Sequence, residues 1–227
     1  MKKCIALLLV ITLAAFMLAG CGSKSQTSSS DSATASKEKF KIGFSMDFTT
    51  QVWRANLLEK LEAAAAKHSD EIELVTTNAN SDTNKQISDI EDLMSQNIDL
   101  LIVAPFATEP LTPIVAEVYD KGIPVIVIDH EVNGDKFTSY IGASNEEIGT
   151  RAGEEIAKVL NGKGNVIELC GIPGMSPTIG RGDFMHDVVK KYSDIKFLAS
   201  LNGQYDQTTA MNLMEDILQS HEASDID

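Results

Sequence analysis

Cysteine, tryptophan and positive charge are all scarce in this 227-residue chain, which carries three cysteines, one tryptophan and 19 basic against 33 acidic residues. The formal net charge of -14 argues against a nucleic-acid role, because contact with phosphates needs a basic footprint. Cys4 lies in an apolar leader, Cys21 closes it, and Cys170 stands alone within Val166–Cys170, so no disulfide framework can form and Cys170 reads as a small core residue. Catalytic signatures are missing as well. There is no GxSxG elbow, no HExxH, and no glycine-rich phosphate loop after the first strand. Gly171–Gly174 and Gly180–Gly182 fit neither a P-loop nor a dinucleotide pattern, and His68, His130, His186 and His221 lack metal-ligand spacing. The expectation is a protein that is not an enzyme and needs neither metal nor cofactor.

What is present begins at the amino terminus. Lys2 and Lys3 precede an apolar run from Ile5 to Gly20, broken only by Thr12 and ending in small residues. That is a charged region, an apolar region and a cleavage site, and it is short for a bilayer span of roughly 20 apolar residues. Leu18-Ala19-Gly20-Cys21 resembles the bacterial lipobox, which implies cleavage before Cys21 and lipidation of its sulfur; the alternative is an ordinary secretory signal with Cys21 incidental. Gly22–Ser36 is rich in Ser, Thr, Ala and Gln, too polar to bury a core. Residues 1–20 are thus predicted to be a lipoprotein signal and 21–38 a flexible tether.

From Lys41 the chain alternates short apolar runs with helical stripes. Strands are predicted at Lys41–Met46, Glu73–Thr77, Asp99–Ala104 and Val125–Ile128, with helices at Val52–Lys67, Asn84–Gln96 and Leu111–Lys121 between them. Phe137–Ile141 adds an extended segment, and Asn145 is placed as the cap of a helix reaching about Leu160. The pattern resumes with strands at Val166–Cys170 and Lys196–Ser200 and helices at Thr178–Tyr192 and Thr208–Gln219. Runs such as Val125-Ile126-Val127-Ile128 suit strands buried on both faces of a parallel sheet. The fold class is α/β, as two doubly wound lobes spanning 39–143 and 144–227, the second incomplete because the chain stops after a helix with no strand to follow.

Ligands of open α/β sheets sit at the carboxyl ends of the strands, which directs attention to the residues leaving them. Asp47, Phe48, Gln51 and Trp53 follow the first strand, Asp129 and His130 the fourth, and Arg181 and Tyr205 lie beyond the strands of the second block. Carboxylates accept bonds from vicinal hydroxyls, arginine donates in a fixed plane, and aromatic rings cover apolar C–H faces. The set matches the demands of a polyhydroxylated ring. Each residue also has a plain structural alternative: Asp129 as a turn residue, Trp53 as core, Arg181 in a surface ion pair, His130 as a loop histidine and Tyr205 as a turn aromatic.

From about Phe40 onward the chain resembles the sugar-binding, ribose-binding-like type I periplasmic solute-binding proteins of ABC importers. The resemblance rests on Lys41–Ser45, Asn97–Pro105, Gly122–Asp129, Glu168–Gly174, Ser176-Pro177 and Arg181–Phe184. It implies that Asp129 and Arg181 bond sugar hydroxyls, that Tyr205 covers the sugar from the second lobe, and that Trp53 stacks from the first. His130 stands where an arginine is common, and Thr49–Trp53 departs from the family's Asn-Pro-aromatic stretch. The family continues past Asp227 with more of the second lobe, so the resemblance implies a chain truncated at its carboxyl end. The function implied is a lipid-anchored extracytoplasmic binding component that presents a monosaccharide or sugar-like solute to an ABC permease. A tethered sensor handing its bound sugar to a receptor kinase is the alternative. A lac-repressor-type regulator would show a helix-turn-helix in place of the leader, and an extracellular enzyme has no motif to support it.

Overall fold

The computed structural model describes residues 39–227. The predicted signal, tether and Cys21 lipidation fall outside the described residues. Among the described residues seven strands and six α-helices follow one another: β1 Phe40–Met46, α1 Val52–Ala66, β2 Ile72–Asn78, α2 Thr83–Ser95, β3 Leu100–Val103, α3 Thr108–Asp120, β4 Val125–Ile128, β5 Ser139–Ile141, α4 Asn145–Val159, β6 Lys163–Cys170, α5 Ser176–Val189, β7 Asp194–Asn202 and α6 Gln207–Ser220, with alternation broken only where β5 succeeds β4. They form two parallel sheets, one of five strands ordered β2-β1-β3-β4-β5 and one pairing β6 with β7. This is the α/β class expected from the alternation.

The first sheet is buried on both sides because its side chains alternate between two apolar layers. Leu101, Val103, Val125 and Val127 face Ile90 and Leu93 of α2 and Leu111, Val115 and Val118 of α3. Phe44, Met46, Ile102 and Ile128 face the opposite way, onto Leu57, Leu58 and Leu61 of α1. One helix covers that second face, and it leaves an apolar groove lined by Leu57, Leu61, Ile102, Ile126, Ile128 and Ile141.

Chain order reverses direction between β1 and β3, where the crevice outside the carboxyl ends opens. Gln86 of α2 shapes the rim: its Nε2 donates to the Ala104 carbonyl at 2.8 Å and its Oε1 accepts from Phe106 N at 2.8 Å, fixing the turn after β3. Helix α4 begins one residue earlier than expected. Ser144, not Asn145, is the cap, its hydroxyl accepting from Glu147 N at 3.1 Å.

In the second lobe α4 and α5 pack against each other over Gly149 and Gly153, one turn apart. A Cβ at Gly149 would fall 2.5 Å from the Arg181 carbonyl, and one at Gly153 would fall 2.7 Å from Val188 Cβ. Only glycine permits this approach. Among the described residues, hydrogen bonds link the segments that follow the first sheet's strands to the second lobe: Thr108 N at the start of α3 to Gly174 O at 3.1 Å, Glu131 N to Ser176 Oγ at 2.7 Å, and Gln51 Nε2 to Tyr205 O at 3.4 Å.

Candidate functional site

A cavity of about 270 Å³ lies between the strand ends of the first sheet and the amino-terminal part of α5, lined by Phe48, Gln51, Trp53, Arg54, Asp129, His130, Pro177, Arg181 and Tyr205. Seven of the eight residues singled out from sequence meet there. The eighth, Asp47, is fully buried behind the wall and does not line it.

The first lobe's wall is built around a residue that the sequence reading passed over. Arg54 sits in the first turn of α1, is 2 % exposed, and is the only charged residue of that helix to be buried. Its Nη2 lies 2.9 Å from Asp47 Oδ2 and 2.8 Å from Asp129 Oδ2. The same nitrogen is 2.9 Å from His130 Nε2 and 3.1 Å from Nδ1. One guanidinium therefore serves two carboxylates and an imidazole, while its Nη1 is buried without a hydrogen-bond partner. Its carbon also sits 4.9 Å from the Trp53 ring centroid and 5.4 Å from that of Phe48, so two aromatic faces share the charge.

Protonation states follow from these neighbours. His130 Nδ1 lies 2.9 Å from the Pro105 carbonyl, an acceptor only, so Nδ1 carries the proton and Nε2 is free to accept from Arg54. Burial, with Arg54 adding to it, pulls the His130 pKa down to about 4, which keeps the ring neutral at ordinary pH. Burial pushes the Asp47 carboxyl up to about 7, against the pull of Arg54 and of the 2.8 Å bond from Phe48 N. Asp129 follows β4 in the left-handed region, φ 61°, which an aspartate tolerates at some cost and which turns its carboxylate into the crevice rather than along the strand. Its amide donates to Ile141 O at 2.8 Å, and Tyr140 Oη donates to its carbonyl at 2.9 Å.

The second lobe supplies Arg181 and Tyr205. Arg181 Nε donates to Asn145 Oδ1 at 3.0 Å, so the buried Asn145 at the start of α4 aims the guanidinium at the cavity. Gln204 and Tyr205 both adopt left-handed backbone, φ 60° and 52°, and the tyrosine hydroxyl lies 3.0 Å from Thr178 Oγ1. Trp53 and Tyr205, both on the cavity lining, remain 55 % and 41 % exposed. Other polar residues at strand ends have structural duties. Asn78 donates to Thr49 Oγ1 at 2.9 Å, and Asp206 caps α6 through Thr209 N at 2.7 Å. Among the described residues no group of His, Cys, Asp and Glu is arranged to hold a metal ion.

Arg54 was detectable in principle. It adjoins Trp53 in the turn that opens beside the carboxyl end of β1, the same signal that selected its neighbour. Asn145 is a subtler case, since its sequence context suggests a cap and only the α4–α5 packing shows which side chain it orients.

The ribose import binding protein of Bacillus subtilis is 28 % identical over 221 residues, covering 97 % of this chain and 70 % of that protein. A xylitol-binding protein of Mycolicibacterium smegmatis is 32 % identical over 152 residues, 67 % of this chain and 44 % of that one. Among solved structures, the fructose-binding periplasmic domain of a hybrid two-component system superposes with a TM-score of 0.74 at 34 % identity, covering 83 % of this chain and 61 % of that one. An ABC transporter solute-binding protein from Bacillus halodurans with bound myo-inositol gives a TM-score of 0.73 at 27 % identity, covering 80 % and 63 %. The chain thus spans about three-fifths of the length of these solved relatives. The family described as periplasmic binding protein domain matches residues 42–227, and with that match over nearly all of the described residues the chain belongs to the periplasmic binding protein family.

Proposed function

We propose that this protein binds a monosaccharide or a similarly sized polyol between its two lobes and presents it to an ABC permease, held at the extracytoplasmic face of the membrane by a lipid on Cys21. The observation that carries the reading is the convergence of Asp129, Arg54, Arg181 and Gln51 with the Trp53 and Tyr205 rings on one small cavity. Ligand pockets for drug-sized molecules begin near 300 Å³, and about 270 Å³ suits something smaller. Donors, acceptors and two aromatic faces are what a hydroxylated ring requires, and no covalent step is involved.

The named ligands of the relatives, ribose, xylitol, fructose and myo-inositol, share vicinal hydroxyls and carry no charge. The cavity wall fits that class, since Arg54 is already matched by carboxylates and Arg181 lines the same cavity as Asp129. Closure of the lobes, proposed to hinge near Gly142–Ser144, would bury the ligand and satisfy the remaining donors. A sensor role is the second reading, favoured by the neighbour that is a domain of a hybrid two-component system.

A thermal-shift panel of pentoses, hexoses, polyols and nucleosides tests the binding claim. One class is expected to raise the melting temperature in proportion to the logarithm of its concentration above Kd. A flat response across the whole panel would refute the sugar reading.

A further inference from the structure

Asp47 leaves β1 at the point where the crevice opens, yet it is fully buried and does not line the cavity. One oxygen accepts from Phe48 N at 2.8 Å, and the other faces Arg54 Nη2 at 2.9 Å. Arg54 therefore stands between a buried carboxylate at its back and Asp129, 30 % exposed, at its front. The distances to the two are nearly equal, so the guanidinium is balanced between opposing attractions.

The geometry points to Asp47 as a positioning residue that acts through Arg54: its buried carboxylate shares Arg54 Nη2 with Asp129, so that the guanidinium is not given over to Asp129 alone and the exposed side of Asp129 is held ready for a ligand's hydroxyls, and protonating Asp47 releases that hold. This deepens the sugar-site reading and rests on it for the identity of the ligand. With Asp47 neutral, Arg54 pairs with Asp129 alone, and the carboxylate proposed to meet the ligand is masked. The charged and titratable groups facing Asp47 are Arg54 from α1 and Asp129 and His130 from the turn after β4, while Arg181 of α5 bears on His130. Of these, Asp47 is the carboxyl held near neutrality by burial, and His130 titrates far below.

The chain's single tryptophan makes the device observable without a ligand. Trp53 lies 4.9 Å from the Arg54 guanidinium carbon, so movement of that charge alters the field on the indole. Tryptophan emission of the purified, ligand-free full chain is followed from pH 5 to 9 alongside Asp47→Asn and Asp47→Glu, with far-UV circular dichroism to confirm the fold. The expected result is a single wild-type transition centred near pH 7, absent from Asp47→Asn and displaced in Asp47→Glu. The same transition persisting in Asp47→Asn, or none in the wild type, overturns the proposal. Should Asp47→Asn fail to fold, Asp47→Glu decides alone: a displaced midpoint supports the assignment and an unmoved one overturns it. An Asp47-dependent transition in a chain that binds no member of the sugar panel would support the positioning role while refuting the sugar reading, so the two fail separately.

Discussion

A single arginine nitrogen placed between two carboxylates and an imidazole decides the chemistry of the first lobe's wall. Breaking a buried pair is costly because the survivor is left charged in a poor solvent, typically about 3–5 kcal/mol. The pH dependence of stability follows from the two buried titrating partners. Asp47 has a folded pKa raised to about 7 from 3.8, so the folded state binds more protons than the unfolded across that window and stability falls as pH rises through it. His130 has a folded pKa lowered to about 4 from 6.5, so here the unfolded state binds more protons and stability rises with pH between those values. The two slopes offset one another between pH 4 and 6.5. Urea unfolding across pH 4–8 should therefore show a shallow wild-type profile in that range. Asp47→Asn should lose stability steadily on acidification below pH 6.5, and a variant profile parallel to the wild type would contradict the account.

At the scale of elements, the parallel strands and their helices were legible because each carries a simple signal. Val125–Ile128 begins and ends where its β-branched run does. Helix α3 starts at Thr108 rather than Leu111, because its first turn contains Thr-Glu-Pro, residues that suit a helix start without contributing an apolar stripe. Strands β6 and β7 run longer than their apolar cores, since Lys163–Asn165 and Asp194–Ile195 pair through backbone atoms that no side-chain pattern announces. The site was legible where aromatic and charged residues leave strands, as with Phe48, Asp129 and His130. It was only half legible at Arg54, whose place beside Trp53 in the first turn of α1 is a signal but whose burial is not, and it was not legible where one side chain orients another, as Asn145 does Arg181. The α4–α5 contact yields its own prediction. Alanine at an ordinary exposed helical glycine stabilises by about 0.5–1 kcal/mol, but overpacking costs about 1–3 kcal/mol, and at Gly149 the obstructing atom is backbone. Gly149→Ala should lower the melting temperature and, by displacing Arg181, weaken sugar binding as well. A raised melting temperature would show that the two helices can part freely.

At the scale of the whole molecule, the two parallel sheets together supply the residues that line the candidate site's cavity. Gln51 reaches across to the Tyr205 carbonyl, Glu131 to Ser176, and Arg181 lies opposite Asp129 on the same cavity. Fold similarity to solved sugar-binding proteins establishes the frame, and the polar wall within it makes the case for a hydroxylated, uncharged ligand. Calorimetric titration, with the sugar that gives the largest thermal shift, of the wild-type chain and of Asp129→Ala tests that claim most directly. The account predicts one site per chain, weakened about 10–100-fold when the charged acceptor at 129 is removed. Equal affinity in the two chains, or no binding by the wild type, would contradict it.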